Sequence, residues 1–247
     1  MNDAGAGDIG ATGGRRGALI DIAIWLGVML LGLVSGRLFS HADLASGRIM
    51  AVAAPIHMLI LFGVATALLR WRGEGWRSVG LARPVSIRRT AGLIVGGYIG
   101  LIAINAVLVT TVFPALGLAH PAFGAFGALK GDVGRYAYWL VMAWVSAGLG
   151  EELQFRGFLW SRLNRLFGGG RAAGWTALGV QAVLFGLGHM YQGLSGVLVT
   201  TTVGLMLGVI FLAGRRNLVA CIVLHGMVDT ISLTVLFLGA IPPGAVG

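Results

Sequence analysis

Long apolar stretches separated by short polar segments make up most of this chain, and they predict seven membrane-spanning helices. A helix needs about 20 apolar residues to cross a hydrocarbon core about 30 Å thick. The predicted spans are 18–39, 49–69, 90–113, 136–165, 172–190, 196–213 and 218–240, with six to eight spans as the bounds. The pattern therefore predicts an all-α fold, a polytopic transmembrane helical bundle.

Composition supports this class. Of 247 residues, 57% are hydrophobic and only 11% are charged, whereas soluble domains are about 25% charged. The net charge of +9 comes largely from arginines at the ends of apolar stretches, which is a membrane-orientation pattern. A nucleic-acid partner is not expected, because no soluble face with basic and interleaved aromatic residues is evident.

The distribution of arginines predicts the orientation. The segment 70–89 carries six arginines and one glutamate, and further arginines follow the fourth and sixth spans. Positively charged short loops stay in the cytoplasm. With seven spans, every arginine-rich loop and the amino terminus are then cytoplasmic, and the carboxyl terminus is outside.

The most unusual feature is the sequence GEELQFRG at 150–157, which places three charges beside a long apolar stretch. Charged groups at membrane depth are costly and are functional candidates for that reason. Glu152 and Arg156 are four residues apart in the order that favours an ion pair on a helix. Glu151 lies about 100° round the helix from Glu152 and needs another partner or a polar cavity. Such a carboxylate suits acid–base chemistry, although an interfacial charge cluster would give the same pattern.

Two further polar pairs lie on later spans. Phe185 and His189 are four residues apart on the fifth span, and His225 and Asp229 are four apart on the seventh. A single membrane histidine is often a hydrogen-bonding residue between helices. Ionisable residues on three separate spans are better explained by one interior polar site.

These three motifs, in this order, resemble those of the CPBP family of CAAX proteases and bacteriocin-processing enzymes, also called the Abi family and related to the Rce1 prenyl-protein protease. The resemblance covers about 136–240. It implies a membrane bundle with a four-helix catalytic core that hydrolyses peptide bonds as a glutamic endopeptidase. It further implies that Glu151 and His189 activate a water, that His225 and the residue at 229 stabilise the oxyanion, and that Arg156 is structural.

Asp229 departs from the pattern, because asparagine is commoner at that position in the family. An ionised aspartate would repel an oxyanion. Asp229 is therefore expected either to be protonated or to orient His225 through a hydrogen bond. We take Glu151, His189, His225 and Asp229 as the candidate catalytic residues, with Glu152, Arg156 and Phe185 in support.

Other functions stay open at this point. Glu151, His189 and His225 would leave an open fourth position on a zinc ion, although no local zinc motif is present and no cofactor is otherwise expected. Ser195, in a Gly-x-Ser-Gly sequence, and His225 would form a serine protease pair. A proton-coupled carrier, or a membrane scaffold without catalysis, would use the same buried polar residues.

The expected organisation has four parts: a disordered cytoplasmic tail at 1–17, amino-terminal transmembrane helices at 18–135, the catalytic core at 136–240 and a tail at 241–247. The expected location is the bacterial plasma (inner) membrane. The expected partners are membrane lipid and a membrane-associated protein or peptide substrate.

Straight spans leave one discrepancy. They put His189 near the outer end of the fifth span and His225 near the inner end of the seventh. We expect a break at the glycine-rich junction of the fifth and sixth spans to bring the two together.

Overall fold

The computed structural model describes residues 14–35, 48–123, 126 and 129–240, and within these ranges the protein is helical, with no strand. Seven long helices follow the predicted order. They are α1 (Gly14–Ser35), α2 (Arg48–Trp71), α3 (Ile87–Leu116), α4 (133–166), α5 (Gly170–Leu187), α6 (Gly193–Ala213) and α7 (Val219–Leu238). The predicted all-α bundle is confirmed.

Within the described ranges, four segments are long and apolar enough to cross a membrane. They are Val52–Trp71, Ile87–Leu116, Met190–Ala213 and Val219–Leu238. Many of their large apolar side chains are exposed, among them Leu59, Ile99 and Val209. An apolar exterior of this kind fits a lipid environment.

The helix boundaries differ from the predictions mainly at the ends. Helix α1 begins at Gly14, so the predicted tail at 1–17 is too long, while residues 1–13 and the tail at 241–247 lie outside the described residues. Helix α3 continues past its predicted end at 113 to Leu116. Pro114 lies in this last part of the helix, which directly follows a π-helical segment, Leu108–Val112.

Helix α4 is unusual because its middle has the wider hydrogen-bonding pattern of a π-helix. The π segments are Ala143–Glu151 and Leu153–Leu159, on either side of Glu152. Such turns are rare and are often found at functional sites. They also alter the angular spacing that an ideal α-helix predicts for the charged motif.

Close contact between α5 and α6 depends on small residues. A Cβ atom at Gly186 would clash with the hydroxyl of Thr201, and one at Gly204 would meet Ala182 Cα at 3.1 Å. Glycines at such positions let two membrane helices approach each other. As a result, the carbonyl oxygen of Gly204 faces the polar interior of the bundle.

An ion network joins the amino-terminal helices to α4. Asp21 of α1 is fully buried and forms ion pairs with Arg72 at 2.8 Å and with Arg162 at 2.9 Å. Glu74 forms ion pairs with a second nitrogen of Arg162, Nη1, at 2.9 Å and with Arg165 at 2.8 Å. From the sequence alone, these arginines indicate only the orientation of the chain in the membrane. The structure shows that three of them also fasten α1 and the segment after α2 to α4.

Replacement of Glu74 is expected to give a pH-dependent loss of stability. Burial favours the neutral form of this carboxyl, but hydrogen bonds from Arg162 and Arg165 outweigh it and hold the pKa of Glu74 below its ordinary value of 4.5. A lowered pKa stabilises the fold above that value, and the contribution disappears as the pH falls through the folded-state pKa. The stability deficit of Glu74→Gln should therefore be largest near neutral pH and shrink in acid.

Thermal unfolding in detergent from about pH 7 to about pH 4 measures this difference. Arg83→Gln, an exposed change in the same segment, is the control and should show no such trend. A deficit that stays constant, or grows, in acid would contradict the assignment.

The discrepancy in depth between His189 and His225 is resolved at two places. Helix α5 ends at Leu187, and a 3₁₀ turn, Met190–Gln192, precedes α6. At the other end, the turn between α6 and α7 lies beside Trp160, because Arg216 Cζ is 5.0 Å from that ring. Trp160 is six residues before the end of α4, or about 9 Å along the helix axis. Helix α7 therefore starts deeper in the bundle than straight spans of equal depth suggest.

Candidate active site

The charged motif of α4 is anchored by a buried ion pair. Arg156 Nη1 donates to Glu152 Oε1 at 2.7 Å, and both side chains are fully buried. Arg156 Nη2 donates to the carbonyl of Gly204 at 3.2 Å, and Gln181 donates to the same carbonyl at 3.3 Å. The expected Glu152–Arg156 pair is thus present, and it also connects α4 to α6.

Glu152 has a second partner that the sequence analysis missed. His225 Nδ1 lies 2.7 Å from the same oxygen, Glu152 Oε1. Since Glu152 is paired with Arg156, its carboxylate accepts and His225 donates from Nδ1. This leaves His225 Nε2 directed to the other side of the ring. Glu152 therefore orients His225, a task that the sequence analysis considered for Asp229.

Phe185 lies at the centre of the site. Its ring is 4.5 Å from the Arg156 guanidinium carbon, 4.9 Å from the centroid of His189 and 5.9 Å from that of His225. A cation over an aromatic face is favourable, and more so away from water. Phe185 thus brings the motifs of α4, α5 and α7 together.

His189 lies in the break after α5, where it is partly buried. Its Nδ1 is 2.9 Å from the carbonyl oxygen of Phe185. A carbonyl can only accept, so Nδ1 carries the proton. The neutral ring then has an unprotonated Nε2, which can accept a proton from a water.

Glu151 and Asp229 lie on the Nε2 side of His225. Glu151 Oε2 is 3.9 Å from this nitrogen, and Asp229 Oδ2 is 3.8 Å from it. These distances are longer than a hydrogen bond. Glu151 Oε2 is buried and accepts no hydrogen bond in the described part of the chain, so it is available to a further polar group.

Both glutamates of α4 approach the same imidazole. Ideal α-helical spacing turns Glu151 about 100° from Glu152 and suggests that it faces elsewhere. In the structure Glu152 meets His225 at Nδ1 and Glu151 approaches it at Nε2.

Gln154 has a further role that the sequence did not reveal, because it accepts a hydrogen bond from Trp25 of α1 at 2.6 Å and so fixes α1 against the motif.

No hydrogen bond among the described residues supports the alternative serine pair, Ser195 with His225. Ser195 is buried in the first turn of α6. For the zinc alternative, the described ranges hold no group of three or more His, Cys, Asp or Glu side chains arranged to hold a metal ion.

The family model described as Rce1-like, type II CAAX prenyl endopeptidase, matches residues 134–231. This segment belongs to the CAAX protease family. The match begins one residue after the start of α4 and ends within α7, so it contains all seven candidate residues. No curated protein and no solved structure matches the chain significantly.

The matched segment, 134–231, overlaps most of the catalytic core predicted at 136–240. The family is one of intramembrane peptide hydrolases, and the helical bundle with its apolar exterior agrees with that environment. The helices before residue 134 lie outside the match. They nevertheless support the core, through Trp25 on Gln154 and through Asp21 on Arg162.

Proposed function

We propose that this CAAX-type intramembrane protease uses Glu151 as the general base of a glutamic endopeptidase. The observation that carries the proposal is a buried carboxylate oxygen of Glu151 that accepts no hydrogen bond from the described residues and lies 3.9 Å from His225 Nε2. His225 lies beside this oxygen, and His189 packs against Phe185, the same ring that His225 contacts. Such preorganisation is what proton transfer to and from a bound water requires.

In the proposed reaction, Glu151 takes a proton from a water, and the resulting hydroxide attacks the carbonyl carbon of the scissile peptide bond. His189, protonated at Nδ1, offers Nε2 to the same water. As the C–N bond breaks, the departing nitrogen takes up the proton that Glu151 received. The products are a carboxylic acid and an amine, so the step requires only the substrate and one water.

His225 is proposed to stabilise the oxyanion. Because Nδ1 already donates to Glu152, Nε2 donates only when the ring is doubly protonated. The positive charge of that form is balanced by two nearby carboxylates, Glu151 and Glu152. A preorganised donor of this kind typically contributes about 10²–10³-fold to the rate.

The proposed substrates are membrane-associated proteins or peptides, and the proposed location is the bacterial inner membrane with the amino terminus in the cytoplasm. The arginines support this orientation, because Arg72, Arg162 and Arg165 belong to one ion network at one end of the bundle. Loss of cleavage in Glu151→Gln with the fold retained is the direct test of the function.

Asp229→Asn is expected to keep most of the activity. Asp229 is partly exposed and approaches the oxyanion side of His225. A protonated aspartate donates one hydrogen bond there, and asparagine supplies a permanent donor of similar shape. By contrast, Asp229→Leu removes the donor and should lower the cleavage rate about 10–100-fold.

Rates of both variants, measured against pH with one substrate, check this role. The asparagine variant should lose less activity than wild type when the pH is raised, because its donor does not titrate. If Asp229→Asn is as inactive as Asp229→Leu while both fold, the carboxylate itself is needed and the donor role is wrong.

A further inference from the structure

A second polar site lies at the arginine-rich end of the bundle, away from Glu151. It is a cavity of about 470 Å³ between the start of α1, the end of α4, the segment after α2 and the turn between α6 and α7. This volume is in the range of small-molecule sites. Arg216, in the α6–α7 turn, contacts the ring of Trp160, and α4 continues about 9 Å beyond that residue.

The rim of the cavity is positively charged. Arg15, Arg165 and Arg216 line it, together with one carboxylate, Glu74. Glu74 is already neutralised by Arg162 and Arg165. Among the described residues, neither Arg15 nor Arg216 has a carboxylate partner, so two guanidinium groups at the rim have unbalanced charge.

Both of these arginines are held in place by the fold. The Arg15 guanidinium packs against Gly168, where an added Cβ would meet its Nη2 at 2.5 Å. Arg216 lies over the ring of Trp160, and its backbone is in the left-handed region with φ of 60°. That conformation is costly for a residue other than glycine and persists only where the surroundings impose it.

The floor of the cavity is apolar and its wall is polar. Val79, Trp160 and Phe211 form the floor and are almost fully buried. Asn164 lines the wall, and its side-chain oxygen is buried without a hydrogen-bond partner in the described structure. A matching ligand has a negative group for the rim, an apolar part for the floor and a hydroxyl or amine for Asn164.

We propose that this cavity binds a phosphate group, and that the apolar floor selects the phosphate of an anionic lipid headgroup over the free ion. Guanidinium groups bind phosphate oxygens with two parallel hydrogen bonds. Basic pockets between membrane helices are known to receive such headgroups. A glycerol headgroup also has a hydroxyl that can donate to Asn164.

The test uses the full chain purified in a neutral detergent, with three probes: dihexanoyl-phosphatidylglycerol, dihexanoyl-phosphatidylcholine and inorganic phosphate. Binding is followed by native mass spectrometry and by the shift in unfolding temperature. The test variant is Arg15→Gln with Arg216→Gln. The matched control is Arg83→Gln with Arg88→Gln, which removes the same charge from exposed positions that do not line the cavity.

We expect saturable binding of phosphatidylglycerol, about tenfold or more weaker in the test variant and unchanged in the control. If inorganic phosphate binds as tightly, with the same variant dependence, the phosphate group alone is sufficient and the proposed selection for a lipid headgroup is wrong. If only phosphatidylglycerol binds, the lipid is the source. The proposal fails if neither anionic probe saturates, if phosphatidylcholine binds equally well, or if both double variants lose binding equally, since the effect is then one of net charge.

Discussion

Glu151→Gln should abolish cleavage and leave the protein folded. The substitution removes the group proposed as the general base, and general base catalysis typically contributes about 10²–10⁴-fold to the rate. The buried oxygen Oε2 of Glu151 accepts no hydrogen bond from the described residues. The amide is nearly the same shape, so the unfolding temperature should change little.

Because the substrate is not identified, the measurement compares the protein termini found in membranes of cells that express either wild type or Glu151→Gln. At least one membrane-associated protein should remain uncut in the variant. Glu152→Gln is the matched control, since it alters the adjacent carboxylate, which has a different role: it orients His225 and pairs with Arg156. That variant should lose stability as well as activity.

Identical termini from wild type and Glu151→Gln would contradict the protease mechanism. A carrier would lose proton-coupled flux in the same variant without any cleaved product. A scaffold would keep its effect on the cell. The single substitution therefore separates the three classes of function that the sequence alone leaves open.

Arg156→Met is expected to have the largest effect on stability. The guanidinium is fully buried, donates to Glu152 and to the Gly204 carbonyl, and lies over the ring of Phe185. Its removal leaves Glu152 buried with His225 as its remaining partner. Breaking a buried pair from one side typically costs about 3–5 kcal/mol.

Arg135→Met is a matched control on the same helix. Arg135 and Asp132 form an ion pair three residues apart at 3.2 Å, and both side chains are nearly half exposed. Such exposed pairs contribute about 0–1 kcal/mol. The comparison is made by thermal unfolding in detergent. Equal, small effects of the two substitutions would show that the Glu152–Arg156 pair does not hold the site together.

The sequence by itself determined the class of the fold and the candidate residues. Apolar stretches of about 20 residues have few alternatives to membrane helices, because backbone polar groups must be satisfied internally in lipid. Charged residues inside such stretches are rare and costly, so Glu151, Arg156 and His225 stand out without any structure. The Glu152–Arg156 pair was also predictable, since a spacing of four residues is a local property of a helix.

Only the tertiary structure decided which partner each of these residues contacts. Glu151 and Glu152 approach opposite nitrogens of His225, which the spacing along one helix does not predict. Three other features depend on contacts between residues far apart in the chain. Arg216 contacts Trp160 near the start of α7, Arg156 donates to the carbonyl of Gly204, and Arg162 pairs with Asp21. Contacts of this kind depend on where each helix starts and how closely two helices approach. Local sequence patterns carry the type and length of a helix, whereas its depth and its partners follow from packing.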